Sequence, residues 1–193
     1  LKNLHGDFQS AADKYFAIAG ILGKQQSDLF AQDSEIGRWL ASKNVIEKIN
    51  GHLFAHGGLH KDFAQLDLSL DAINAIARSR YRQFNYTQRG LSTEHALITS
   101  NQTGVAWYRG YFKGDIEQNE LTDVLQTFDA SAIVVGHTLQ YKVNQQFDYR
   151  LFAIDVKHPE DYNTSFPVKR SEGLLIEQQQ YYRLLDDGEQ VRL

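Results

Sequence analysis

Two short runs place a histidine where chemistry is readily built: Phe54-Ala55-His56-Gly57-Gly58-Leu59 and Ile133-Val134-Val135-Gly136-His137-Thr138. In each, strand-forming residues stop at a histidine flanked by glycine. The strand fixes the backbone that carries the imidazole, and the glycine lets the chain turn sharply and approach a bound group. A neutral imidazole held this way suits a metal ion. Taken singly, each histidine could equally be a hydrogen-bonded core residue; the repeated architecture favours metal. His56 and His137 lie 81 residues apart, so only a folded domain brings them together. Rings on opposite faces of that domain would end the metal reading.

Arg109, within Trp107-Tyr108-Arg109-Gly110-Tyr111, is the third candidate. A guanidinium grips two phosphate oxygens at once, where a lysine offers only a point charge. The competing reading is an arginine stacked on Trp107 or Tyr111, and those two aromatics read as packing residues. His52, His95 and His158 show no paired spacing and read as surface residues. His60 could offer a substrate an extra hydrogen bond, though an exposed loop histidine is the plainer reading. Arg78, Arg80 and Arg82 read as solvated. His5 and Asp7 stand near the start, where Asp7 can cap a following helix.

The elements that must position these residues follow from periodicity. Apolar residues at Phe8, Ala11, Ala12, Tyr15, Phe16 and Ala19 predict a helix over 8–22. A shorter helix begins near Glu35, capped by Asp33 or Ser34. Val45 to Ala55 reads as a hairpin turning at Asn50-Gly51, whose return strand ends at His56. Leu70, Ile73, Ala77, Tyr81 and Phe84 predict a helix over 69–84, with Asp67 or Ser69 as cap. Residues 83–100 show no period and read as irregular. Leu121, Val124, Leu125 and Phe128 predict a helix over 118–129, and Ala132 to Val135 a buried strand. Further strands are expected near 141–147, 150–156, 173–178 and 180–185, with a turn at Asp186-Asp187-Gly188. This mixture predicts an α/β fold with helices outside the sheet.

Composition narrows the function. With 193 residues, 42% of them hydrophobic and 23% charged, the chain is an ordinary globular domain with room for a core. A net charge of −4, with no basic cluster beyond Lys169-Arg170, argues against nucleic acid as partner. No apolar run is long enough to cross a bilayer and no signal peptide is visible, so neither a membrane nor a compartment is indicated; periplasmic, secreted and cytoplasmic locations all stay open. Zero cysteines rule out disulfides, thiolate zinc sites and a cysteine nucleophile within these residues. There is no G-x-S-x-G elbow and no glycine-rich phosphate loop.

His56-Gly57-Gly58, Gly136-His137-Thr138 and Trp107-Tyr108-Arg109-Gly110-Tyr111 together resemble motifs of the calcineurin-like metallophosphoesterases. The resemblance is to their phosphoprotein-phosphatase branch and the Shewanella-like bacterial phosphatases. It runs from Asn3-Leu4-x-Gly6-Asp7 through Ser34-Glu35-Ile36-Gly37-Arg38-Trp39-Leu40 and weakens after Lys157. It implies a four-layer β-sandwich flanked by helices. Residues 1–193 would be the C-terminal portion of one metallophosphatase domain, lacking its N-terminal strands. It also implies two divalent ions (Mn, Fe or Zn), with His56 and His137 as ligands of one of them and Arg109 on the substrate phosphate. The bridging aspartate, an asparagine ligand and the proton-donating histidine would lie upstream of Leu1, so no catalytic residue is assigned within the chain. The absence of methionine fits that expectation. His60 departs from the small residue usual at its position.

The resemblance thus predicts a dinuclear metal-dependent phosphatase in the intact protein. Its substrates would be phosphorylated protein side chains (Ser/Thr or Tyr) or small phosphomonoesters. The 193-residue piece alone would be inactive, its partner being the missing N-terminal segment. Two alternatives stand beside it: a nucleotide or dinucleoside polyphosphate hydrolase on the same scaffold, and a non-catalytic truncated binding or regulatory piece.

Overall fold

A computed structural model of the chain describes residues 28, 31, 33–81, 91–156 and 171–193. The helix expected over 8–22, together with His5, Asp7, Arg82, Phe84, His158 and Lys169-Arg170, lies outside them. The chain divides into two compact units, residues 1–43 with 78–87 and residues 44–77 with 88–193. In the first, helix α1 (Glu35–Leu40) starts at Ser34, whose hydroxyl accepts from the Gly37 amide at 2.8 Å. Arg80, expected in solvent, is buried.

The second unit is built on a five-stranded sheet. Strands β1 (Ile46–Ile49) and β2 (His52–Ala55) form the expected hairpin. Asn50 and Gly51 take φ of 50° and 78°, the left-handed pair that a two-residue turn of this hand requires. Strand β3 (Ala132–Val135) lies parallel to β2, and β5 (Leu151–Ala153) lies parallel to β3. Strand β4 (Asn144–Gln146) pairs antiparallel with β5 and completes the order β1-β2-β3-β5-β4. A separate antiparallel sheet runs β6 (Glu172–Glu177), β7 (Gln180–Leu185) and β8 (Gln190–Arg192).

Alternation along the strands divides the core in two. Leu53, Ile133, Val135 and Leu151 point to one face, where they meet the helices. These are α2 (Leu70–Tyr81), α3 (Thr93–Thr99), the short α4 (Gly110–Lys113) and α5 (Gln118–Thr127). A 3-10 turn at Lys61–Gln65 precedes α2. Ile73 and Ala77 of α2, Leu97 and Ile98 of α3, and Leu121, Val124 and Leu125 of α5 fill this side. Burying a side chain such as Leu53 contributes roughly 1.5–3 kcal/mol. Ala132, Val134 and Phe152 point the other way, with Phe54, onto Leu174 and Tyr181 of the second sheet. The described residues therefore form helices, sheet and sheet in three layers. The α/β class holds, while the four-layer sandwich implied by the resemblance does not.

One difference from the sequence has a local cause. Residues 93–99 form α3, where no period was visible, because Ser92 caps it by accepting from the His95 amide at 3.3 Å. Helix α2 is tied to the edge strand by a buried asparagine, Asn74. Its carbonyl accepts from the Val45 and Ile46 amides at 2.9 and 3.2 Å, and its amide donates to the Ile46 carbonyl at 2.9 Å. Among the described residues no helix is long and apolar enough to cross a membrane.

Candidate functional site

The three parallel strands end in line, with Ala55, Val135 and Ala153 as register partners. Parallel strands deliver the residues that follow them to one edge, where α/β sheets bind ligands. His56 follows β2 directly, His137 stands two residues past β3, and Asp155 two past β5. The Gly136 amide donates to the His56 carbonyl at 2.9 Å, locking the first two together. His137 takes φ 63°, a left-handed conformation that costs a non-glycine residue about 1–3 kcal/mol and is typical of functional turns. The turn brings its Nδ1 to 3.1 Å from Nε2 of His56, with the ring centroids 4.8 Å apart. One of the two rings must carry the shared proton.

Burial, the Arg109 guanidinium and His56 hold the His137 imidazole below its usual pKa, against an opposing pull from Asp155. The neutral ring is thus favoured. Its Nε2 is buried without a partner among the described residues, and so is the Thr138 hydroxyl beside it. Unpartnered buried polar atoms are scarce in folded proteins, and these two belong to consecutive residues. Asp155 escaped the sequence reading. The signal was its place at the end of a strand parallel to the two histidine-bearing ones.

The glycines of the His-Gly-Gly run are explained by the Trp107–Tyr111 segment. The Gly57 and Gly58 amides both donate to the Val105 carbonyl at 2.9 Å. A Cβ on Gly57 would lie 2.6 Å from the Tyr108 amide nitrogen and 2.7 Å from that of Trp107. Gly58, at φ 140°, would drive a Cβ to 2.3 Å from the Tyr111 ring. Tyr111 is buried, and its hydroxyl accepts from the Leu59 amide at 2.8 Å and donates to the Leu59 carbonyl at 3.0 Å. Burial pushes its phenol well above the ordinary value, so it stays protonated and able to donate. The two motifs are therefore one structure, and Tyr111 is a packing residue, as its sequence context indicates.

Arg109 opens α4 at the head of this segment and is partly buried. Among the described residues its guanidinium makes no hydrogen bond or ion pair. Its charge lies near enough to His137 to lower that ring's pKa. The structure thus brings His56 and His137 together, with Arg109 and Asp155 near enough for their charges to act on His137. Trp107 differs from its expected packing role: it is 49% exposed, with its ring edge-on to that of His137 at 5.3 Å. His60 is not the exposed loop residue expected. It caps the 3-10 turn by accepting from the Asp62 amide at 3.2 Å and meets the Tyr108 ring at 5.4 Å. His52 is buried rather than superficial, its ring nitrogens 3.0 Å from the Asn50 carbonyl and 2.9 Å from the Tyr181 hydroxyl.

The expectation of two divalent ions is corrected by this geometry. Among the described residues no group of three or more His, Cys, Asp or Glu side chains is arranged to hold a metal ion. Two imidazoles fall short of the three or four protein ligands usual at zinc sites, and among the described residues no carboxylate joins them.

No protein-family model matches the chain, and no curated protein does. Solved structures do. The crystal structure of a cold-active protein-tyrosine phosphatase from a psychrophilic Shewanella species superposes with a TM-score of 0.73 at 33% identity, over 93% of this chain and 52% of that one. A second structure of a cold-active protein tyrosine phosphatase gives 0.72 at 34% identity, over 93% and 50%. The chain spans about half the length of these structures. The assignment drawn from the short motifs, calcineurin-like metallophosphoesterase, is accordingly replaced by similarity to these protein-tyrosine phosphatases. Three motifs of a few residues fix a local arrangement, and the rest of that assignment was implied by the resemblance alone.

Proposed function

We propose that this protein hydrolyses phosphomonoesters, and that its substrates are phosphorylated protein side chains. The observation that carries the reading is Arg109. A partly buried guanidinium with no partner among the described residues lies near enough for its charge to act on a neutral histidine at the carboxyl edge of three parallel strands. Leaving such a cation unpaired is costly unless an anion joins it. A planar fork suits two oxygens of a phosphoryl group. Similarity to solved protein-tyrosine phosphatases supports a protein substrate over a nucleotide.

Hydrolysis joins a water oxygen to phosphorus, breaks the ester P–O bond and leaves the departing oxygen needing a proton. Arg109 would bind and orient the phosphoryl oxygens. His137 and Thr138 would supply the polar atoms that lack partners among the described residues. The chain has no cysteine, so no thiolate from these residues attacks phosphorus.

His56 and His137 as a ligand pair for a single divalent ion also stands as a proposal. Their 3.1 Å nitrogen separation is near the roughly 3.3 Å that two imidazoles span on a tetrahedral ion.

Comparing turnover of a phosphotyrosine peptide with that of a dinucleoside tetraphosphate on the whole protein tests the substrate class. Preference for the dinucleotide would overturn the protein-phosphatase reading.

A further inference from the structure

A cavity of about 350 Å³ opens beside Arg109, lined by Trp107, Tyr108, Arg109, His60, Asn101 and Gln102 among others. That is within the size range of small-ligand sites. Three observations say what it would take. Trp107 is half exposed although the tyrosines on either side of Arg109, Tyr108 and Tyr111, are buried. It is also held firmly. Its amide donates to the Gly104 carbonyl at 2.8 Å, its backbone fills the space above Gly57, and its ring rests edge-on to His137. Finally, the Tyr108 hydroxyl is buried without a partner among the described residues. Burial and the carboxylates of Asp115, Glu120 and Asp62 keep that phenol protonated, hence able to donate.

We propose that Trp107 is the surface against which the aromatic ring of a phosphotyrosine lies, making it a determinant of preference for aryl over alkyl phosphates. This rests on the phosphatase reading above. Trp107 and Arg109 are two residues apart, and the Trp107 ring touches the ring of His137. Because Trp107 and Arg109 line one cavity, a phosphoryl group held there by Arg109 has the indole beside its ester oxygen and the group bonded to it. In phosphotyrosine that group is a flat ring, which an aromatic surface attracts. In phosphoserine it is one methylene followed by the peptide backbone, which cannot stack and brings polar groups against the indole. The polar remainder of the cavity, Asn101 and Gln102 with the oppositely charged Lys113 and Asp115, suits the hydrogen bonds of a flanking peptide backbone rather than a second apolar group.

The test compares two peptides of one sequence, phosphorylated on tyrosine or on serine, with the whole protein carrying wild-type Trp107, Trp107→Leu or Trp107→Phe. Trp107→Leu should lower the tyrosine-over-serine ratio of kcat/KM by about three- to tenfold, the size of one aromatic pair. Trp107→Phe should restore most of the ratio. Thermal unfolding of the variants guards against a collapsed site, and calorimetric binding of the two peptides gives the same ratio where turnover is slow. An unchanged ratio in Trp107→Leu overturns the aromatic surface and leaves the phosphatase reading standing. A protein that neither binds nor turns over either peptide overturns both.

Discussion

The Tyr111 hydroxyl holds both backbone polar groups of Leu59, accepting from its amide at 2.8 Å and donating to its carbonyl at 3.0 Å. These residues are 52 positions apart, and their pairing makes the His56 loop and the Arg109 segment one rigid piece. Both bonds are buried, so no water can replace them if the hydroxyl is lost.

Tyr111→Phe should destabilise the protein by about 2 kcal/mol, because a buried amide and carbonyl lose their partner while the ring volume stays. Urea denaturation measures this. A change below about 0.5 kcal/mol would mean the two loops are held by something else.

Gly58→Ala should cost more than Gly114→Ala, although both glycines have positive φ. At Gly114 (φ 77°) nothing lies within 4 Å of a new methyl, so the cost is about 1–2 kcal/mol of backbone strain. At Gly58, whose φ of 140° lies farther from what an L residue adopts, the strain is joined by the Tyr111 ring at 2.3 Å. Equal losses of stability in the two variants would show that the ring moves aside freely.

Much of this was legible in the residues themselves. The Asn50-Gly51 hairpin, the 132–135 strand and the apolar face of α5 follow from local pattern, which tertiary packing did not override. The convergence of His56 and His137 was legible because the same strand-and-glycine context encodes both. Asp155 and the exposure of Trp107 were not, since each depends on which strands become parallel neighbours and how a turn is oriented. His52 was misread for the same reason. It points to the second sheet, where Tyr181, 129 residues away, meets it. The expectation of two metal ions came from the resemblance and not from the two histidines, and a ligand set depends on side chains that only the fold assembles.

Glu120 gives the protein an acid-sensitive joint behind the site. Its carboxylate accepts from Lys61 Nζ and from the Glu117 amide, both at 2.8 Å, linking α5 to the 3-10 turn after His60. Those bonds, the Lys61 one first, hold its pKa below the ordinary carboxylate value. A depressed carboxylate pKa contributes stability that is present above the unfolded value, near 4.5, and is lost as pH falls through the folded one. Stability should therefore fall with acid more steeply in the wild type than in Glu120→Gln. Matching pH profiles would remove Glu120 from the account.

The His56–His137 pair predicts a stoichiometry. Calorimetric titration with Zn²⁺ or Mn²⁺ should show at most one ion per chain held by these rings, weakly, with the signal lost in His137→Ala. Binding that survives His137→Ala would place the ion elsewhere, and two ions dependent on these rings would contradict the two-ligand geometry.

Arg109→Lys separates phosphate binding from packing. Lysine keeps the charge but cannot direct two parallel hydrogen bonds at one phosphoryl group. Losing one charge-assisted bond of about 1.5–3 kcal/mol should lower kcat/KM on a phosphopeptide by about ten- to a hundredfold. The fold should hardly notice, since the guanidinium has no partner among the described residues, and unfolding should stay within about 0.5 kcal/mol of wild type. Measured together on the whole protein, the two quantities discriminate. A lost fold with proportionate loss of activity would return Arg109 to a structural role, stacked on its aromatic neighbours. An unchanged kcat/KM would remove the anion-binding argument on which the phosphatase reading chiefly rests.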